Sequence, residues 1–395
     1  MIMDFAGFIL LHEGDDVARL ALSRERYAAD VEDLDLALHT LEARPRLRTK
    51  IPEWYAHPGL HYPTRLCAEQ CSSSETARYK ASVAVCCRNA PAIADLTGGL
   101  GVDSWAFAQV AKDVLYNEMQ PELATAAEHN FRELGIGNIS VRNQELKPGN
   151  LKEILDGFRP DILYLDPARR ATDGRKVFRL EDCAPDVLQL LPELLETSVR
   201  ILLKLSPMAD IDLMCRQLGC VKEVHVVAAE KECKELLLLL ERDFTGEPAL
   251  TLYESGVTMR LEGTVPAVYA PAVEPGGWLF EPGKALLKAG AFTLPCRYGL
   301  KKLSPHTHLY LAQELEAELR PFGKWFIIKE VSSFDKRSFR EVGKRYPQAE
   351  VTARNLPVSS EQLRAKIGCR SGGNVHLFGV RTLEGPEIIV TETED

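Results

Sequence analysis

Between Pro91 and Arg242 the chain alternates short apolar runs with polar, helix-forming stretches, a pattern that few folds satisfy. The runs are Ala92–Leu96, Asp113–Asn117, Ile139–Arg142, Ile162–Leu165, Val199–Leu205, Val221–Val227 and Glu235–Leu240. Helical stretches such as residues 121–134 separate the early runs, which predicts right-handed crossovers and a parallel sheet buried on both faces. Only AAEKEC joins the last two. It is too short for a helical crossover and predicts an antiparallel pair at one edge.

At roughly 100–200 residues per domain, the 395 residues of the chain predict two to four domains. Residues 1–90 read as an N-terminal helical region, with helix formers and apolar residues three and four apart in RERYAADVEDLDLALHTLEA. A connector, IPEWYAHPGLHYP, runs from Ile51 to Pro63, and Ser72 with Glu75 makes a capping-box signature for the next helix. The sheet domain covers 91–242. Gly and Pro then accumulate, and 243–320 reads as a small β-rich, ferredoxin-like connecting domain. Residues 321–395 offer the order β-α-β-α-β-β, compatible with a ferredoxin-like α+β sandwich.

Composition removes several classes. With 45% hydrophobic and 27% charged residues the chain is neither disordered, collagen-like nor a coiled-coil rod. Its longest apolar runs, such as Leu236 to Leu240, fall far short of the ~20 residues of a bilayer span. No basic residue precedes the N-terminal apolar stretch, so a secretory signal is not expected and the cytoplasm is the default compartment. Ten cysteines without a C-x-x-C pair suit reduced thiols rather than a zinc ribbon or redox dithiol. A net charge of −9 argues against nonspecific coating of nucleic acid. Residues 321–381 depart from that balance, with twelve Lys/Arg against five Asp/Glu and with Trp325, Phe326, Phe334, Phe339, Tyr346 and Phe378 interleaved. Such a concentration is the footprint of a nucleic-acid module, with Arg337 and Arg340 as candidate contacts, although a solvated basic face gives the same count.

The sharpest local signal is Asp95-Leu96-Thr97-Gly98-Gly99-Leu100-Gly101, between a predicted strand and helix. Glycines let the chain turn sharply and let backbone N–H groups approach a ligand at a helix N-terminus. Glu118 ends the second strand, 17 residues after Gly101, where an acid can accept hydrogen bonds from ribose hydroxyls. A nicotinamide site would want G-x-G-x-x-G/A, but Ser104 stands in the last place. Asp166-Pro167-Ala168-Arg169-Arg170 follows the fourth strand. An acceptor there can hold an amine with its lone pair aimed at a methyl donor, and the ring of Pro167 stiffens the loop.

The block DLTGGLGVDS, YNE and ILYLDPARR, with SSSETARYKA upstream, resembles the class I S-adenosylmethionine-dependent methyltransferases over residues 65–242, especially RNA-modifying members with accessory RNA-binding domains. The C-terminal block ARNLPVSSEQLRAKIGCRSGGNVHLFGVR is similar to a bacterial family ending in a THUMP-like domain. The resemblance implies a Rossmann-like α/β sheet, a C-terminal α+β ferredoxin-like/THUMP-like domain, S-adenosyl-L-methionine as cofactor and no metal. Asp95, Thr97, Gly99 and Gly101 would surround its methionine part, with Glu118 on the ribose and Gln144 or Glu145 beside the adenine. Ser73, Glu75 and Thr76 would close over the methionine end, unless they serve only to cap their helix. Asp166 and Pro167 would face the methyl acceptor.

Related amino methyltransferases show Asp/Asn-Pro-Pro and an aromatic residue that stacks on the extruded base. Ala168 and Arg169 occupy those places, so Arg169 and Arg170 are the candidates to stack on a base or hold phosphate. Lys204, ending the fifth strand, could contact phosphate, orient Asp166 or simply snorkel at the sheet rim. Lys204-Leu205-Ser206-Pro207 holds no cysteine nucleophile, which disfavours covalent C5 methylation. The expectation is methylation of a base nitrogen of RNA. Acceptors in DNA, protein or a small molecule remain open, as does a cofactor- and RNA-binding protein without turnover.

Overall fold

The computed structural model describes residues 3–87, 89–169 and 179–393. They divide into two compact units, Met1–His225 with Glu235–Ala249, and Val226–Lys234 with Leu250–Asp395.

Seven strands of one sheet are β1 (Ala92–Asp95), β2 (Asp113–Asn117), β3 (Ile139–Arg142), β4 (Ile162–Leu165), β5 (Arg200–Leu205), β6 (Val221–Ala229) and β7 (Glu232–Glu241), in the order β6-β7-β5-β4-β1-β2-β3. The first five strands run parallel and β7 is antiparallel to β5. All four residues of β4 are buried, as an apolar run without alternation requires. Strand order reverses between β1 and β4, and in such sheets ligands bind outside the carboxyl ends of the strands at that reversal.

The β6–β7 hairpin turns on Glu230 and Lys231, both at positive φ, a two-residue turn whose twist matches its strands. Its predicted place at an edge is corrected. The sheet continues past β6 through β8 (Ala249–Glu254) and β9 (Val257–Leu261), which cover backbone groups that an edge would leave unpaired.

Ahead of the sheet, α1 (Phe5–His12) and α2 (Leu34–Lys50) share a core of Phe8, Ile9, Leu34, Leu38 and Leu41. The connector after α2 is core as well, since Trp54, Leu60 and Tyr62 are fully buried. The helix α3 (Ser74–Cys87) starts one residue later than the capping signature placed it. The Thr76 N–H donates to Ser73 Oγ at 3.2 Å, while the Ser72 hydroxyl donates to Asp103 at 3.0 Å. Two more helices, α4 (Val102–Ala108) and α5 (Pro121–Glu133), follow β1 and β2. Pro121 opens α5, where its missing N–H costs nothing.

In the second unit, residues 278–393 share one seven-stranded sheet. Its strands are β10 (Trp278–Pro282), β11 (Lys301–Ser304), β12 (Thr307–Ala312), β13 (Gly323–Ser333), β14 (Glu350–Arg354), β15 (Val375–Arg381) and β16 (Pro386–Thr393), in the order β11-β12-β10-β13-β16-β15-β14. With α6 (Lys336–Arg345) and α7 (Ser360–Ile367), the last part reads β-α-β-α-β-β. Side chains alternate along β15, so Leu377 packs under Phe339, Val342, Leu363 and Ile367 of the helices, while Phe378 joins Phe326, Leu279 and Leu309 on the other face. A Cβ on Gly343 would lie 2.0 Å from the Ile367 carbonyl oxygen, so the two helices touch backbone to backbone on one side of the sheet.

Candidate active site

β1 ends at Asp95, which is fully buried. Its carboxylate accepts from the Thr97 N–H at 3.1 Å and the Ser104 hydroxyl at 2.6 Å. Burial, helped by nearby Asp103 and Asp166, pushes its pKa up from 3.8 to about 8. Through that window the fold holds a proton that the unfolded chain sheds, so Asp95 lowers stability as pH rises from about 4 to about 8. Asp95→Asn removes the charge and is expected to raise the melting temperature at pH 9 more than at pH 5. Equal shifts at both values would contradict this account.

In the loop after Asp95 the glycines have different reasons to be there. A Cβ on Gly98 would meet the Tyr116 ring at 2.1 Å, and one on Gly101, at φ +91°, would meet Phe131 at 2.6 Å. Gly99 sits at φ +55° with nothing within 4 Å of where its Cβ would stand. Two glycines are thus required by packing, and the third borders open space. The Tyr116 hydroxyl donates to the Gly99 carbonyl at 2.5 Å, and the Gly99 N–H donates to Glu118 Oε2 at 2.8 Å. Glu118 Oε1 accepts from the Gln120 N–H at 2.9 Å, so each oxygen of this buried acid keeps a lone pair.

Asn117 was not singled out from the sequence. Its amide donates to the Leu96 and Gln144 carbonyls at 3.3 and 3.0 Å and accepts from the Gln144 N–H at 3.2 Å. It therefore brings Gln144 to the glycine loop. Glu145 is exposed and 2.6 Å from Lys147.

The loops after β1 and β4 leave adjacent strands, with Asp95 opposite Tyr164. The Asp166 N–H donates to Thr97 Oγ1 at 2.6 Å, and Lys204 Nζ donates to Asp166 Oδ2 at 2.6 Å. Pro167 is buried beside them. Lys204 faces carboxylates, being also 3.8 Å from Glu235. Ser73 and Thr76 bond each other at the start of α3, and Glu75 is half-buried there. Only the backbone of Arg169 is described, paired with Cys183, and Arg170 lies outside the described residues. Arg337 and Arg340 sit on the exposed side of α6 in the second unit, Arg337 bonded to Glu341 at 2.9 Å.

Beneath the site lies a set of buried charges. Lys80, with no exposed surface, reaches Glu235 at 2.7 Å and Asp103 at 3.3 Å. Asp103 accepts from the Tyr164 and Ser72 hydroxyls at 2.7 and 3.0 Å. Burial would raise the pKa of Asp103, but Lys80, Lys204 and the two hydroxyls outweigh it and hold it below its usual range. At Glu235 burial wins, and its pKa stands above the usual range. For Lys204 the desolvation is outweighed by Asp166, Glu235 and Asp103, so its pKa is raised. One signal for Lys80 was readable: it shares the helical face of Ala77, Ala81 and Ala84, all buried.

Across its whole length the chain is similar to a crystal structure described as a "putative methyltransferase" from Porphyromonas gingivalis W83, with 31% identity, 100% of both chains covered and a TM-score of 0.84. The chain belongs to this methyltransferase family. Within it, residues 278–319 match a ferredoxin-like domain and residues 323–393 a THUMP domain-like one. Less than half of the methyltransferase matches a ribosomal protein L11 methylase from Lactobacillus delbrueckii subsp. bulgaricus, at 18% identity, 47% and 82% coverage and a TM-score of 0.30. A Thermus thermophilus 16S rRNA N2 G1207 methyltransferase, in complex with AdoMet and guanosine, matches at 13% identity, 44% coverage of each chain and a TM-score of 0.33. No curated protein matches the sequence. Among the described residues of the methyltransferase, no helix is long and apolar enough to cross a membrane.

Proposed function

We propose that this methyltransferase uses S-adenosylmethionine to methylate a base nitrogen of RNA. The observation that supports this reading is the bond from Asp166 to Thr97, which sets an acceptor-bearing Asp-Pro loop against a glycine loop at the reversal of strand order. The residues suit the cofactor. Open space borders Gly99, Glu118 keeps lone pairs for two ribose hydroxyls, and Asn117 holds Gln144 nearby.

When bound, S-adenosylmethionine would supply an activated methyl group for the nitrogen lone pair, with its sulfur as the leaving group that keeps the C–S bonding pair. The chain's part is alignment, which supplies much of such a barrier. Asp166 accepts a hydrogen of the attacking amine, turning its lone pair toward the methyl carbon, and is placed to take the proton that the new N–C bond makes acidic. An acceptor of this kind fits a nitrogen that bears hydrogen.

For RNA, the supporting feature is the outer side of α6 and α7, where Lys336, Arg340, Lys344 and Lys366 are exposed. Nucleosides from a deletion strain and its parent, compared by mass spectrometry, test the substrate class. Loss of one methylated base is expected, and an unchanged RNA profile would overturn the reading. Reversing charge at Arg337 and Arg340 should weaken binding to total RNA and reduce its salt slope by about two. Binding that persists with the same slope would refute docking through this face.

A further inference from the structure

Resting on that reading, we propose that Lys204 is a positioning residue for methyl transfer, holding Asp166 by one carboxylate oxygen so that the other alone meets the acceptor. Asp166 is fixed twice. Its N–H is bonded to Thr97 Oγ1, and Lys204 takes Oδ2 at 2.6 Å. No bond to Oδ1 is formed among the described residues, and the Asp166 side chain is 37% exposed while that of Lys204 is 14% exposed.

A lysine on a strand end is ordinarily a flexible group that reaches for water. Here Glu235, at 3.8 Å, also attracts the ammonium, and Glu235 is itself fixed by Lys80, which is shared with Asp103. Charges thus alternate from Asp103 through Lys80, Glu235 and Lys204 to Asp166. Removing either neighbour of a buried charge leaves it unsatisfied, so each member constrains the next. Tyr164 and Ser72 complete the far end through Asp103. This arrangement does for the Asp-Pro loop what a second proline and an aromatic residue, absent here, cannot do: it stiffens the acceptor from below.

The test uses the full-length protein, tritiated S-adenosylmethionine and total RNA from the deletion strain. Lys204→Met should lower kcat about 100-fold, the usual effect of an ångström-scale misplacement, with the KM for S-adenosylmethionine little changed. Lys204→Arg, which can still bond Asp166, should recover most of the loss. Because Lys204→Met leaves buried carboxylates, its melting curve is read alongside, and Glu235→Gln serves as a gentler variant expected to lower kcat in the same way. A kcat within threefold of the parent in folded Lys204→Met, or in Glu235→Gln should Lys204→Met not fold, would overturn the proposal. Loss without recovery in the arginine variant would overturn it too. Failure of the underlying reading looks different: the parent itself would then transfer no methyl to that RNA, or Asp166→Ala would methylate it as the parent does.

Discussion

Asp166→Ala is expected to lose methyl transfer by roughly 10²–10⁴-fold, the range associated with removing a positioned proton acceptor. Affinity for S-adenosylmethionine, read by calorimetry, should hold, because the glycine loop and Glu118 are bonded to each other and not to the Asp166 side chain. The main-chain bond to Thr97 survives the substitution, so the loop keeps its path. Glu118→Ala supplies the contrast. It removes the acceptor that holds the Gly99 and Gln120 N–H groups and should weaken the cofactor about tenfold or more, at ~1.4 kcal/mol per decade. If both variants lost affinity equally, or Asp166→Ala kept its turnover, the division of roles between the two loops would be wrong.

Lys80→Met is expected to cost stability heavily. It strips the shared cation from Glu235 and Asp103, and breaking a buried pair in this way costs roughly 3–5 kcal/mol. For a unit of this size that lowers the melting temperature on the order of 10 °C. The double variant Lys80→Met with Glu235→Leu should recover part of the loss, since it removes the stranded charge with its partner. A melting temperature within a degree or two of the parent in the single variant would show that the ladder contributes little.

The sheet was legible in the sequence because its inner strands are buried on both faces and so appear as nearly unbroken apolar runs, such as ILYL and ELLLLLE. The last β-α-β-α-β-β stretch was legible for another reason: SSEQLRAKI carries a capping box and KRSFREVGKR a one-sided apolar stripe. What escaped depends on distance along the chain. Lys80 and Glu235 are 155 residues apart, and nothing local distinguishes Lys80 from a surface lysine except its place on an alanine face. Asn117 looked like a strand end, because its partners Leu96 and Gln144 belong to two other loops. The extension of the sheet through β8 and β9 was hidden by the Gly- and Pro-rich residues around it. At the candidate site, the glycine loop, Glu118 and Asp166 stand out by their places after predicted strands and Asp95 through the family resemblance, whereas the hydrogen bonds linking them required coordinates.

The β6–β7 turn carries a consequence for how such a protein can be rearranged. Residues 226–234 belong to the second unit, although the chain on both sides of them belongs to the first. The chain therefore passes between the two units three times. Truncation near residue 250 would strip that turn of its unit, and exchanging the second unit for another demands three simultaneous junctions, at 225/226, 234/235 and 249/250.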